Sequence, residues 1–382
     1  MRVLSVVLRV LAGMVFVFSG FVKGVDPWGS AIKLQDYFTA FGWDFLLPFS
    51  YFLGSLLNVA EFVIGFCLMF GIRVKLASLG ALIFMLIFTP LTLYLAIANP
   101  VSDCGCFGDA IKMTNWETFY KNLIIFSFVL FVFIRRKKYR PWMNWKAEWA
   151  GTFIGLAIIT GTTWYCYSYL PLMDFLPYKE GNHIPSLMTV PEGMPADQYE
   201  QFITLQDTAI GKNIDVTVDA YSNDSTYWGE GTIYKYISIS EPRLVKKGYQ
   251  PPIHDFTIVS VEDGSDITEE VLQDSSYTFM MISFKLSKAA PCHLDEINEL
   301  AKFIRSKGYR FICMTSSPKE EIDLFISENS PDYSFYYTDE TTLKSIIRSN
   351  PGIVLIKGGT VIRKWSHNAL PKPEKLEKKY LK

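Results

Sequence analysis

The chain has 382 residues, room for two or three domains, and a formal net charge of −1, which removes any global case for nucleic-acid binding. Its 49% hydrophobic content is unevenly spread. The first 170 residues are largely apolar runs and the rest reads as ordinary soluble protein, which excludes a wholly soluble chain and predicts a membrane part followed by a globular part.

Five runs are long enough to be membrane helices: about 3–23, 48–70, 74–98, 118–134 and 149–170. The first ends in Ser19-Gly20-Phe21-Val22-Lys23 and is followed by more spans, so it reads as a retained helix, not a removable signal peptide. It carries Arg9, and the second run carries Glu61. An ionisable side chain at membrane depth is costly and needs a partner. Counted from the inner ends of their helices, Arg9 and Glu61 lie at comparable depths, which predicts an ion pair between them. Proton handling or quinone contact is the functional alternative. Between these runs, the spacing of Ile32, Leu34, Tyr37, Phe38 and Phe41 predicts an amphipathic segment on the membrane surface. Cys67 is expected to be a small buried apolar residue. Cys166 lies near the outer end of the fifth run, on the side of the loop described next.

Asp103-Cys104-Gly105-Cys106-Phe107-Gly108-Asp109 separates the third and fourth runs. Two cysteines one residue apart, joined by a glycine that lets the backbone bend, bring their sulfurs within bonding reach. A disulfide across so small a ring departs from relaxed geometry and is easily reduced. Cys104 and Cys106 are therefore a candidate redox pair, with a purely structural loop as the alternative. Asp103 and Asp109 are expected to raise the thiol pKa values. A metal is not expected, since zinc wants four ligands and no histidine occurs before His183.

Orientation follows from basic residues in short loops. Arg2, Arg73, Lys75 and the cluster Arg135, Arg136, Lys137, Lys138 and Arg140 fall on one side if all five runs span. That side is then cytoplasmic, and the cysteine loop and everything after about residue 170 lie outside. Lys23 and Lys33 fall in an outer loop and count mildly against this. An oxidising compartment suits a cysteine pair.

Residues 176–252 are rich in proline and tyrosine early on, with alternating stretches near 214–218 and 232–240 that predict a small β region in a linker. From 253 to 370 the pattern predicts strands at 255–261, 277–284, 309–315, 334–337, 352–357 and 360–365, and helices at 291–307, 318–328 and 340–348. Lys357-Gly358-Gly359-Thr360 reads as a hairpin turn. Cys313 falls in an apolar strand, His367 is expected at the surface, and 371–382 reads as a solvated, lysine-rich tail.

Gly13, Ser19-Gly20, Lys23, Glu61, Gly65 and the Cys-Gly-Cys-Phe-Gly loop give residues 1–140 a resemblance to the DoxX/MauE group of bacterial membrane proteins. The resemblance implies a four-helix bundle and a redox accessory role, for MauE-like proteins in maturing exported disulfide-containing enzymes and for DoxX-like proteins in quinone-dependent work. A vitamin K epoxide reductase-like bundle is disfavoured, because its Cys-x-x-Cys is absent. Residues 253–370 resemble a thioredoxin-like domain, through a strand followed by Ala289-Ala290-Pro291-Cys292 at a helix start and through Asn350-Pro351 before a strand, where that family keeps a cis-proline. Ala289 stands where the family's nucleophilic cysteine belongs, so only Cys292 remains and no dithiol cycle can run inside this domain.

Together these features predict an α-helical bundle of four plus one transmembrane helices, the fifth within 141–175, and an extracytoplasmic α/β thioredoxin-like domain. The host would be a bacterial cytoplasmic membrane, the partners lipid and an exported client or thiol protein. The function expected is thiol–disulfide or quinone-linked support of exported proteins, with the last domain docking clients. A non-enzymatic scaffold is the rival.

Overall fold

A computed structural model describes every residue except Met1, Ser102, Ala196, Lys247, Leu381 and Lys382. Six long helices come first: α1 (Arg2–Val25), α2 (Pro27–Ala40), α3 (Ser50–Phe70), α4 (Val74–Ala98), α5 (Asn115–Ile134) and α6 (Trp145–Ser168). Their ends are set by local chemistry. Asp26 accepts from Gly29 N at the start of α2, with Pro27 in the first turn. Thr114 and Glu117 form a capping box on α5, and Asn144 caps α6. Gly71, at φ +72°, closes α3 in the left-handed conformation.

Among the described residues, four segments are long and apolar enough to cross a membrane: Val3–Val25, Asp44–Phe70, Val74–Ala98 and Asn115–Ile134. They turn Phe52, Leu86, Ile97 and Ile134 outward, which suits lipid and not water. α6 is not in that set, because glycines, threonines and tyrosines dilute its run. It nevertheless packs antiparallel along α3, from Gly151 against Ile72 through Gly155 against Phe66 to Tyr167 against Tyr51.

α1 and α3 approach most closely. A Cβ on Gly13 would lie 2.5 Å from Met69 N, one on Gly65 2.5 Å from Val17 N, and one on Gly20 2.6 Å from Phe62 N. Small residues let two backbones meet where no hydrophobic force drives them together. This contact fixes the antiparallel register: residue 13 opposes 69, and residue 20 opposes 62.

Residues His183–Asp255 form a separate compact unit. It holds α7 (Ile184–Met188), β1 (Gln198–Glu200), β2 (Phe202–Asp207), β3 (Lys212–Thr217), α8 (Val218–Asn223), β4 (Tyr234–Ile239) and β5 (Arg243–Lys246). β2 pairs antiparallel with both β3 and β4, and β1 pairs with β5. Two of these strands match the alternating stretches of the sequence. β2 between them was hidden by its polar side chains.

The rest of the chain contains β6 (Val259–Ser260), α9 (Thr268–Gln273), β7 (Tyr277–Ser283), α10 (Leu294–Ser306), β8 (Arg310–Thr315), α11 (Lys319–Asn329), β9 (Ser334–Tyr337), α12 (Glu340–Ile346), β10 (Gly352–Lys357), β11 (Thr360–Ser366) and α13 (Pro373–Lys379). The sheet order is β11-β10-β7-β8-β9-β6, with β7, β8 and β9 parallel and β10 and β11 antiparallel to their neighbours. Phe279-Met280-Met281-Ile282 and Ile353-Val354-Leu355-Ile356 are buried throughout, as in strands covered on both faces. A central β7 with β8 on one side and the β10–β11 hairpin on the other is the thioredoxin-like arrangement. Gly358 and Gly359 both take positive φ in the expected tight turn.

Two expectations change here. The strand at 255–261 shrinks to Val259–Ser260, since Ile258 N donates to Thr268 Oγ1 and not to a neighbouring strand. The stretch 371–382 is not a solvated tail: it forms α13, with Leu376 wholly buried in the core and Tyr380 edge-on to Trp365. Its last two residues lie outside those described.

Candidate functional site: the Cys104–Cys106 loop

The loop joining α4 to α5 turns back on itself. Gly108 N donates to Gly105 O at 3.0 Å, and Gly105 and Gly108 take φ of +63° and +53°, which glycine adopts without strain. The turn brings the sulfurs of Cys104 and Cys106 to 3.0 Å as two free thiols. Cys104 is buried and Cys106 half-buried.

Three helices hold the loop, two of them by its backbone. Ser19 Oγ on α1 donates to Cys106 O at 2.6 Å, and Tyr37 Oη on α2 donates to Cys104 O at 2.7 Å. Lys33 on α2 pairs with Asp103 at 2.9 Å, while Asp103 Oδ1 accepts from Gly105 N. Phe107 packs edge-on to Phe18 and lies under Lys121 Nζ of α5, 4.2 Å from its ring centre. Lys33 and Tyr37 of α2 thus grip the loop.

The electrostatics depart from expectation. Cys106 is held below the ordinary thiol range, first by the hydrogen bond from Cys104, then by Lys121 and Lys23; burial and Glu61 oppose this. Cys104 is pushed up by its hydrogen bond to Cys106 and by burial. The pair therefore ionises first at Cys106, as a thiolate sheltered by the neighbouring S–H. Lys33 engages the Asp103 carboxylate and Arg348 that of Asp109. Burial also lifts Tyr37, which keeps it a donor.

The Arg9–Glu61 pair does not form. Glu61 Oε2 lies 2.8 Å from Lys23 Nζ. The close α1–α3 register places Glu61 opposite the C-terminal end of α1, whereas Arg9 lies about four turns away along the same helix. Arg9 sits against Gly71, with its guanidinium 5.7 Å from the Tyr139 ring. Cys67 is buried with Sγ 3.7 Å from Thr152 Oγ1.

In the last domain, Ala289 is buried and Cys292 exposed in the short 3-10 turn Pro291–His293 that leads into α10. The Asn350–Pro351 bond is cis, as the resemblance implies. His367 is not a plain surface residue: it is half-buried, 5.2 Å from the His293 ring, with Nδ1 2.9 Å from Ser349 Oγ. Burial lowers its pKa. Cys313 is wholly buried and its thiol is raised by desolvation.

Four participants escaped the sequence. Lys121 was submerged in an apolar run, where a lone lysine is itself a signal. Tyr37 was read only for its apolar ring. Asp26 and Arg348, 322 positions apart, gave no signal, and they form an ion pair at 2.8 Å.

Among curated proteins no sequence match was found. Solved structures similar to the chain include a candidate protein disulfide isomerase of Bacteroides thetaiotaomicron, 17% identical over 31% of this chain and 79% of that one, with a TM-score of 0.27. A candidate thiol:disulfide interchange protein DsbE of Chlorobium tepidum is 13% identical over 33% and 91%, TM-score 0.27. A candidate thioredoxin of Neisseria meningitidis is 16% identical over 32% and 83%, TM-score 0.27. Residues 1–135, which contain α1 to α5 and the cysteine loop, match the family model described as methylamine utilisation protein MauE, so the membrane part of this chain is MauE-like.

Proposed function

We propose that this chain is a membrane-bound thiol–disulfide accessory protein in which Cys104 and Cys106 exchange with disulfides of exported proteins. The observation that carries this is the 3.0 Å approach of two free sulfurs. The Cys106 thiolate attacks one sulfur of a partner disulfide, forming a mixed disulfide and releasing a partner thiolate. That thiolate takes the Cys104 proton. Cys104 then attacks Cys106 sulfur and expels the second partner thiolate. The pair ends oxidised and the partner reduced; the reverse sequence oxidises a partner dithiol.

A location outside the cytoplasm suits this chemistry. Arg73, Arg135, Arg136, Lys137 and Lys138 lie at the bundle end away from the cysteine loop, which supports a cytoplasmic N-terminus and an inner-membrane setting. α6, lying along the whole of α3, is read as the fifth span, which carries the thioredoxin-like domain outward. Without a cysteine at Ala289, that domain serves as a docking module for clients. A quinone finds little to hold it at the pair, since Ser19, Tyr37 and Lys23 already donate within the chain, and the exchange step involves none.

The experiment is alkylation trapping of Cys104 and Cys106 in membranes as a thiol redox buffer is varied, with and without added quinone. Interconversion of dithiol and disulfide set by the thiol buffer is expected. A pair fixed in one state throughout would sink the exchange reaction and favour a structural loop on a scaffold. Oxidation only on quinone addition would make quinone the acceptor.

A further inference from the structure

We propose that Arg348, supplied by the thioredoxin-like domain, is a positioning residue for the Cys104–Cys106 pair. This deepens the exchange function proposed above and rests on it for its purpose.

Arg348 lies just after α12, three residues before Pro351, and its side chain is only 6% exposed. Its Nε donates to both Asp26 carboxylate oxygens at 3.1 Å, and Nη2 donates to Oδ2 at 2.8 Å. Nη2 also reaches Asp109 Oδ2 at 3.3 Å, while Nη1 is satisfied by Lys344 O at 2.8 Å. A buried guanidinium forked between two carboxylates is a strong, directional tie.

The two carboxylates belong to the two parts that shape the cysteine pair. Asp26 starts α2, the helix whose Lys33 and Tyr37 hold Asp103 and Cys104. Asp109 follows Cys106 by three residues, beyond the turn closed by Gly108 N to Gly105 O and inside the one closed by Ala110 N to Phe107 O. One side chain of the last domain therefore pins the turn that follows Cys106 to the start of α2. Burial lifts the Asp109 carboxyl, Arg348 draws it down and Asp26 lifts it further, so the two acids repel once the cation is gone. With the tie broken, the loop loses the placement that sets Cys106 against Cys104 and near the groups facing it. Those groups are Lys23 from α1, Tyr37 from α2, Glu61 from α3 and Lys121 from α5.

The test is the pH profile of maleimide modification of the reduced pair, in full-length protein in native membranes, read by mass spectrometry on the peptide carrying both cysteines. Wild type is expected to react at pH values below those of an ordinary thiol, whose pKa is about 8.5. Arg348→Gln should move the profile toward that ordinary value and slow modification at neutral pH about tenfold. Arg348→Lys should recover part of the shift. Asp26→Asn breaks the same tie from the other side, and carries the test if Arg348→Gln fails to accumulate in membranes. An unchanged profile in either inserted variant overturns the assignment. A pair that shows the shift yet stays in one oxidation state across all redox buffers would sink the exchange function and leave the role of Arg348 standing.

Discussion

Lys23 on α1 and Glu61 on α3 form an ion pair at 2.8 Å beside the cysteine loop, both side chains largely buried. Around it, Asn58 Nδ2 and Ser30 Oγ donate to Lys23 O, closing the C-terminal end of α1. Removing one partner leaves a buried charge alone, which costs about 3–5 kcal/mol in such a setting. Lys23→Met and Glu61→Gln should each destabilise by that order, and the double variant by clearly less than their sum. A double-mutant cycle on detergent-solubilised protein checks this; strictly additive losses would argue against coupling.

The thiolate at Cys106 has a pH signature. A depressed thiol pKa means the reactive form persists as pH falls below the ordinary thiol value and is lost only below the depressed one. Cys104→Ala removes the first cause of that depression. Its alkylation profile at Cys106 should shift to higher pH, with Lys121→Met shifting it the same way by less. A Cys104→Ala profile identical to wild type would show that the S–H bond does not set the thiolate.

The α1–α3 contact has no room for a methyl group. Gly13→Ala, Gly20→Ala and Gly65→Ala should each push the helices apart and destabilise by about 1–3 kcal/mol, as overpacking does. At Gly54 an added Cβ meets nothing closer than 3.6 Å, so Gly54→Ala should be near neutral. Thermal unfolding in detergent ranks the four; equal stability across them would contradict the close register.

Leu376→Ala should cost about 2–5 kcal/mol, since the side chain is wholly buried in the last domain's core. Loss of cooperative unfolding in that domain at lower temperature is the expected reading. No change would return the C-terminal stretch to a solvated role.

Ala289→Cys would restore a two-cysteine motif with Cys292 at the start of α10. We expect the full-length variant to gain dithiol reductase activity on a disulfide-bonded peptide, whereas Cys292→Ser leaves exchange at the loop unaltered. Loss of loop exchange in Cys292→Ser would place Cys292 in the electron path and remove the docking-only role of the domain.

What the sequence made legible was local. Cys104 and Cys106 are one residue apart, so their meeting needed only a flexible Gly105. The strands of the last domain are dense apolar runs that few other structures accommodate. What failed depended on register or on distant partners. Arg9 and Glu61 were matched by counting from helix ends, but glycine contacts set how α1 slides on α3. The partners of Asp103 and Asp109 were not legible, because Lys33 and Arg348 come from elsewhere in the chain. In and just after α13 the lysines outnumber the two residues that pack, and composition hid Leu376 and Tyr380.

The chain leaves its main body after Asn182 and returns at Phe256, and the two crossing points are sewn together. The Tyr178 and Phe256 rings lie 5.8 Å apart, and Gly181 N and Asn182 O exchange hydrogen bonds with Val361 on β11. The β-rich unit between them is thus a cassette spliced into a closed seam. Its length and surface can drift without shifting the register of the sheet.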